Sequence, residues 1–152
     1  MFVLTFKWNK KIALLVIAAA VVLLGAIILA LGHGDSSGAS VTVKTNEDRV
    51  KFLQSLGWEL EPSPISETYV VIPKEFSEIY ETYNRLQLEQ GYDLSRYCGL
   101  EATIYTYSVT NYSGYVGKVV ADLYVLNYEV VGGDVHSLAL DGFMHGLCRR
   151  PV

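Results

Sequence analysis

The sequence predicts an α+β domain carried behind one N-terminal transmembrane helix, on three observations. Residues 12–31, IALLVIAAAVVLLGAIILAL, carry no charge; residues 45–56 and 75–89 place apolar side chains at helical spacing; and the last third alternates Val, Tyr and Thr runs with turn residues. The order read along the chain is α-β-β-α-β-β-β, two helices and a mainly antiparallel sheet in two layers.

The run from Ile12 to Leu31 is 20 residues. At 1.5 Å per residue it is about 30 Å long, the hydrocarbon thickness of a bilayer. Lys7, Lys10 and Lys11 precede it, whereas Asp35 follows and no base appears until Lys44. This asymmetry places a tail at 1–11 in the cytoplasm and the rest of the chain outside. Phe6 and Trp8 suit the headgroup level beside the lysines. A cleavable signal has a shorter apolar region and a small-x-small site, so the run is read as a signal anchor in the cell membrane. Ala26, Ala30 and Gly34 recur every four residues and offer a stripe for helix pairing, the alternative being a monomeric anchor. Residues 32–44 open with GHGDSSGAS and read as a flexible linker of about 20 Å reach. The domain at 45–152 is thereby held near the bilayer.

Within that domain Thr45 and Asp48 form a capping-box pattern, and Phe52, Leu53 and Leu56 line one helical face before Gly57. Trp58 and Leu60 alternate with Glu59 and Glu61, and Tyr69 to Ile72 is apolar up to Pro73; both stretches read as strands. From Glu75 to Glu89 the set Phe76, Ile79, Tyr80, Tyr83 and Leu86 keeps helical spacing, closed by Gly91. Thr103 to Thr110, Val119 to Leu126 and Val130 to Ser137 form an antiparallel meander, with turns at 111–114 and 127–129. Tyr128 disfavours a two-residue turn with positive φ, which predicts a three- or four-residue connection there.

From Thr45 onward the chain has 15 acids against 8 bases, a net of −7. This excludes nucleic acid and works against anionic lipid as partners of the domain. Cationic peptides, divalent ions or a basic protein surface remain compatible, as does simple solubility. All 11 tyrosines fall here too, serving strand packing or a binding face.

The stretches TNEDRVKFLQSLGWELEP, VVIPKEF with IYETYNRLQLEQGYDLSRY, and GGDVHSLALDGFMHGL resemble a family of small single-span envelope proteins of Gram-positive anaerobes, Clostridia-like, whose outer part is a domain of unknown function. The resemblance implies an anchored envelope protein and carries no catalytic or binding residue. Such proteins would have a glycine near Tyr128 and a lysine near Cys98, so this chain departs at both places.

Chemistry-bearing residues are few. Asp134, His136, Asp141 and His145 are carboxylates and imidazoles that suit zinc, manganese or iron if they converge. The opposing reading makes Asp141-Gly142 a turn and the histidines surface residues. Gly132-Gly133 marks a bulge or a close backbone approach. Ser137 beside His136 points to the opposite face of a strand, and neither GxSxG nor SxxK occurs, so a serine hydrolase is not expected. Cys98 and Cys148 would close a loop of about 50 residues if paired, adding roughly 3–4 kcal/mol; left unpaired they are ordinary thiols.

The function expected is thus a membrane-anchored, extracytoplasmic, non-enzymatic binding or protein-interaction module without a cofactor, with an envelope protein as partner. The alternatives are a metal-dependent enzyme or metal sensor using the Asp134 to His145 segment, and a structural subunit paired through the span.

Overall fold

The computed structural model describes residues 41–148. The described residues all belong to one compact unit. The predicted span at 12–31 and its cytoplasmic tail lie outside the described residues. Among the described residues no helix is long and apolar enough to cross a membrane.

The domain is α+β, with two α-helices and a five-stranded antiparallel sheet. Helix α1 is Asn46–Ser55 and α2 is Glu78–Leu88, followed by a 3-10 turn at Leu94–Tyr97. The strands are β1 Ser66–Val71, β2 Glu101–Val109, β3 Val119–Leu126, β4 Glu129–Ser137 and β5 Met144–Gly146, in spatial order β1-β2-β3-β4-β5. Every strand therefore lies beside its sequence neighbour.

The α1 capping box forms as its sequence dictates. Asp48 N–H donates to Thr45 Oγ1 at 3.2 Å, and Thr45 N–H donates to the Asp48 carboxylate at 2.9 Å. Gly57, with φ +90°, then turns the chain. Helix α2 starts from Ser77, but its inner face is not the apolar stripe its spacing suggests. Asn84 and Gln87 are buried there, while Ile79 is 81% exposed. The reason is that this face meets backbone: Gln87 Oε1 accepts from Gly133 N–H at 2.8 Å and Asn84 Oδ1 from Leu94 N–H at 2.8 Å.

The two helices cover opposite faces of the sheet, so the expected two layers are three. Leu53 of α1 packs with Trp58, Tyr107, Ala121, Leu123 and Val135 in one core. Tyr83 of α2 packs with Leu94, Ala102, Leu126, Val131 and Tyr124 in the other. Both faces of β3 carry apolar residues, and each must be covered.

Three further expectations are corrected. Trp58 to Leu60 is no strand; it contributes one bridge, Leu60 to Val109, because Trp58 turns inward and its indole N–H donates to Leu147 O at 2.7 Å. The short strand β5, in its place, was not legible. The linker ends before 44: Val43 is buried, Thr42 bridges Glu129, and Val130 N–H donates to Val41 O at 2.9 Å. The turn between β3 and β4 has two residues, Asn127 (φ 49°) and Tyr128 (φ 68°), because Leu126 pairs directly with Glu129 and the Tyr128 carbonyl is fixed by Val43 N–H at 2.6 Å. Of the two alternatives left open for the cysteines, the structure has Cys98 and Cys148 as free thiols. Cys98 sits after the 3-10 turn, where Gly99 N–H donates to Ile72 O beside β1, and Cys148 follows β5 at the other edge. Strands spaced about 4.8 Å apart keep these edges beyond disulfide reach.

One irregularity positions the site. Tyr124 pairs with Gly132 but Val125 pairs with Val130, so Val131 is an extra residue, a β-bulge. Val130 packs in the α1 core and Val131 in the α2 core, while Val135 is back in the α1 core. An unbroken alternation from Val130 would put Asp134 with it on the α1 side; the bulge reverses the phase and turns Asp134 and His136 toward α2.

Candidate functional site

On the α2 side of the sheet, Asp122 of β3 pairs directly with Asp134 of β4, and His136 lies two residues along the same face. Asp134 is 2% exposed. Its carboxylate accepts the Tyr83 hydroxyl at 2.6 Å on Oδ2 and contacts His136 Nδ1 at 2.8 Å through Oδ1. A carboxylate can only accept, so the Nδ1 proton is assigned to the imidazole side of that bond. Asp122 Oδ1 accepts the Thr106 hydroxyl at 2.6 Å, from the paired position on β2.

Asp122 and Asp134 form the floor of a cleft of about 720 Å³ between α2 and the sheet, with His136 and Thr106 as their hydrogen-bonding neighbours. Tyr83, Tyr124, Leu86 and Met144 supply apolar and aromatic walls, with Ile79 and Arg85 among the exposed α2 residues of its lining. Tyr83 and Tyr124 stand 5.8 Å apart between ring centroids, tilted by 43°.

The electrostatics follow from burial and the two facing acids. Burial pushes the Asp122 carboxyl above its ordinary range, and the Asp134 charge adds to this while Thr106 and His136 oppose it. The hydrogen bond that His136 donates to Asp134 raises the imidazole, against the effect of burial. Burial first, and the nearby Asp134 second, drive the Tyr83 phenol upward. Burial takes Tyr124 up to about 12. Both phenols therefore stay protonated at neutral pH, and Tyr83 donates to Asp134.

Of the four residues singled out from sequence, the fold brings Asp134 and His136 together and leaves the other two elsewhere. Asp141 is exposed in the β4–β5 loop. His145 pairs with Val135 and so points to the α1 face, where it lies against Trp58, Tyr112 and Phe143. Its Nδ1 is 2.9 Å from Gly146 O and its Nε2 3.0 Å from the Tyr112 hydroxyl. Sequence reading missed Asp122. The available signal was a lone acid at an even position of a strand that is otherwise Val, Ala, Leu and Tyr. It also missed Tyr83 and Thr106, which have no local signature.

Fold and cleft together define an α+β domain whose antiparallel meander, covered by a helix on each side, presents two carboxylates under α2 with an imidazole hydrogen-bonded beside them. The chain belongs to the domain of unknown function family DUF4830, whose model matches residues 52–135. The match includes Tyr83, Thr106, Asp122 and Asp134 and ends one residue before His136. No curated protein and no solved structure matches the chain.

Proposed function

We propose that this protein is an extracytoplasmic, non-enzymatic binding module of a bacterial cell envelope, tethered by residues 12–31, and that its ligand site is the cleft under α2. The observation that carries this reading is the cleft itself. It combines apolar walls with a floor of polar groups already held in place by one another, the usual make-up of a preformed ligand site. The tether is supported by the uncharged 20-residue run behind three lysines. A short spacer then keeps the cleft near the membrane and favours an envelope partner or a small molecule that diffuses there.

The test uses the full chain in its own membrane. A photo-crosslinking side chain at position 79, on the cleft rim, should capture one reproducible envelope component. The same group at position 128, on the β3–β4 turn and outside the cleft lining, should not, and Leu86→Glu should abolish capture from 79. Equal capture from both positions, or turnover of a defined substrate by the purified chain, would overturn the reading. Sidedness is checked by a membrane-impermeant thiol reagent, since Cys148 is exposed: labelling only after the cells are permeabilised would remove the extracytoplasmic assignment.

A further inference from the structure

We propose that Asp122, Asp134 and His136 together bind one divalent transition-metal ion at the floor of the cleft. The proposal rests on the cleft reading for access, and it adds what the floor is for.

One donor atom from each of the three residues lies within 4.8 Å of the others. Donor atoms on a tetrahedral ion with bonds of about 2.0–2.2 Å stand roughly 3.4 Å apart. Binding would displace the His136 Nδ1 proton and replace its 2.8 Å contact with Asp134 Oδ1 by one bond from each residue to the ion. The three residues are fixed in register by two adjacent strands and the bulge, so the set does not depend on a loop.

The donor types select the ion. Two carboxylates and one imidazole suit zinc, manganese or ferrous iron, whereas calcium takes six to eight oxygens and magnesium retains most of its water. A fourth position opens into the cleft, where water or a ligand oxygen would complete the shell.

Charge argues in the same direction. Like charges directly opposite on neighbouring strands are unfavourable, and Asp134 is almost wholly removed from solvent. Arg85, which lines the cleft, donates to Thr82 Oγ1 at 2.8 Å. A divalent ion between the acids offsets their repulsion. The outer contacts are also in place: Thr106 fixes one oxygen of Asp122 and Tyr83 one oxygen of Asp134. Hydroxyl partners of this kind orient metal-binding carboxylates.

The full chain is purified in detergent, stripped with a chelator and dialysed against Zn²⁺, and the bound ion is counted by elemental analysis. One ion per chain is expected, with Mg²⁺ and Ca²⁺ at equal concentration failing to displace it. Asp122→Asn and His136→Ala should each weaken binding more than tenfold, while Asp141→Asn should leave it unchanged. Circular dichroism establishes that the variants are folded. In case they are not, Co²⁺ added to the unaltered chain should give a visible absorption band that Zn²⁺ abolishes. Retention of much less than one ion, absence of that band, or loss of binding in Asp141→Asn would overturn the proposal. Crosslinking from position 79 reads the cleft independently, so a metal-free chain that still captures its partner sinks only the ion.

Discussion

Asp122 and Asp134 face each other across β3 and β4, one hydroxyl donor on each: Thr106 on the first and Tyr83 on the second. Two acids in register on one sheet face work against folding unless their surroundings offset the repulsion. Here His136 and the two hydroxyls do so together.

Because Asn keeps an oxygen for the Thr106 hydroxyl while removing one charge, Asp122→Asn should not destabilise the metal-free protein. An increase of about 0.5–1 kcal/mol is expected, within the range of cross-strand pair effects. Urea unfolding of the chelator-treated chain at neutral pH measures it. A loss of more than about 1 kcal/mol would mean that the two acids do not oppose each other.

Tyr83→Phe removes the 2.6 Å donor from a carboxylate with almost no access to water. The cost should be about 1–3 kcal/mol, the penalty for leaving a buried acceptor short of a partner. The same urea titration reads it, and Tyr80→Phe, on the same helix, serves as a control expected to change little.

Gly133 is held for space. A Cβ there would stand 2.5 Å from Asp122 O and 2.6 Å from Leu147 Cδ1. Gly133→Ala should therefore cost about 1–3 kcal/mol or more by overpacking. Gly91→Ala has open space around it and only its φ of +86° to oppose it, so about 1–2 kcal/mol is expected there. If Gly133→Ala is neutral, β4 is not packed as closely against β3 and Leu147 as the fold requires.

Tyr128 adopts a φ of 68° in the two-residue turn and is 60% exposed. Tyr128→Gly removes the left-handed strain and little packing, so it should raise stability by about 1 kcal/mol. A higher thermal midpoint is the signature, and a lower one would show that the ring contributes more than the turn strains.

With both cysteines free, the thermal midpoint should be the same with and without a reducing agent. The thiol count under denaturing conditions should be two per chain. A midpoint lowered by reductant would indicate a bridge between Cys98 and Cys148.

Much of the fold was legible because local physics dictates it. Thr45 and Asp48 satisfy one another's backbone across one turn, so α1 is announced by four residues. The meander is announced by alternation and by short connections, which can only join antiparallel neighbours. Trp58 to Leu60 misled for an instructive reason: the stretch alternates and meets the end of β2, but only through the single Leu60 to Val109 bridge, too short a pairing to make a strand. The β5 strand is three residues long and takes its pairing from β4, so nothing in Met144–Gly146 signals it.

For the site, the sequence by itself determined that the C-terminal third carries acids and imidazoles in a strand, with a glycine pair beside them. Only the tertiary structure decided which of them meet. Side chains alternate along a strand with a period of two, so a single extra residue at Val131 moves Asp134 and His136 from one face of the sheet to the other. That phase, and with it the partnership with Asp122, Thr106 and Tyr83, is a property of pairing between strands and not of any stretch of chain.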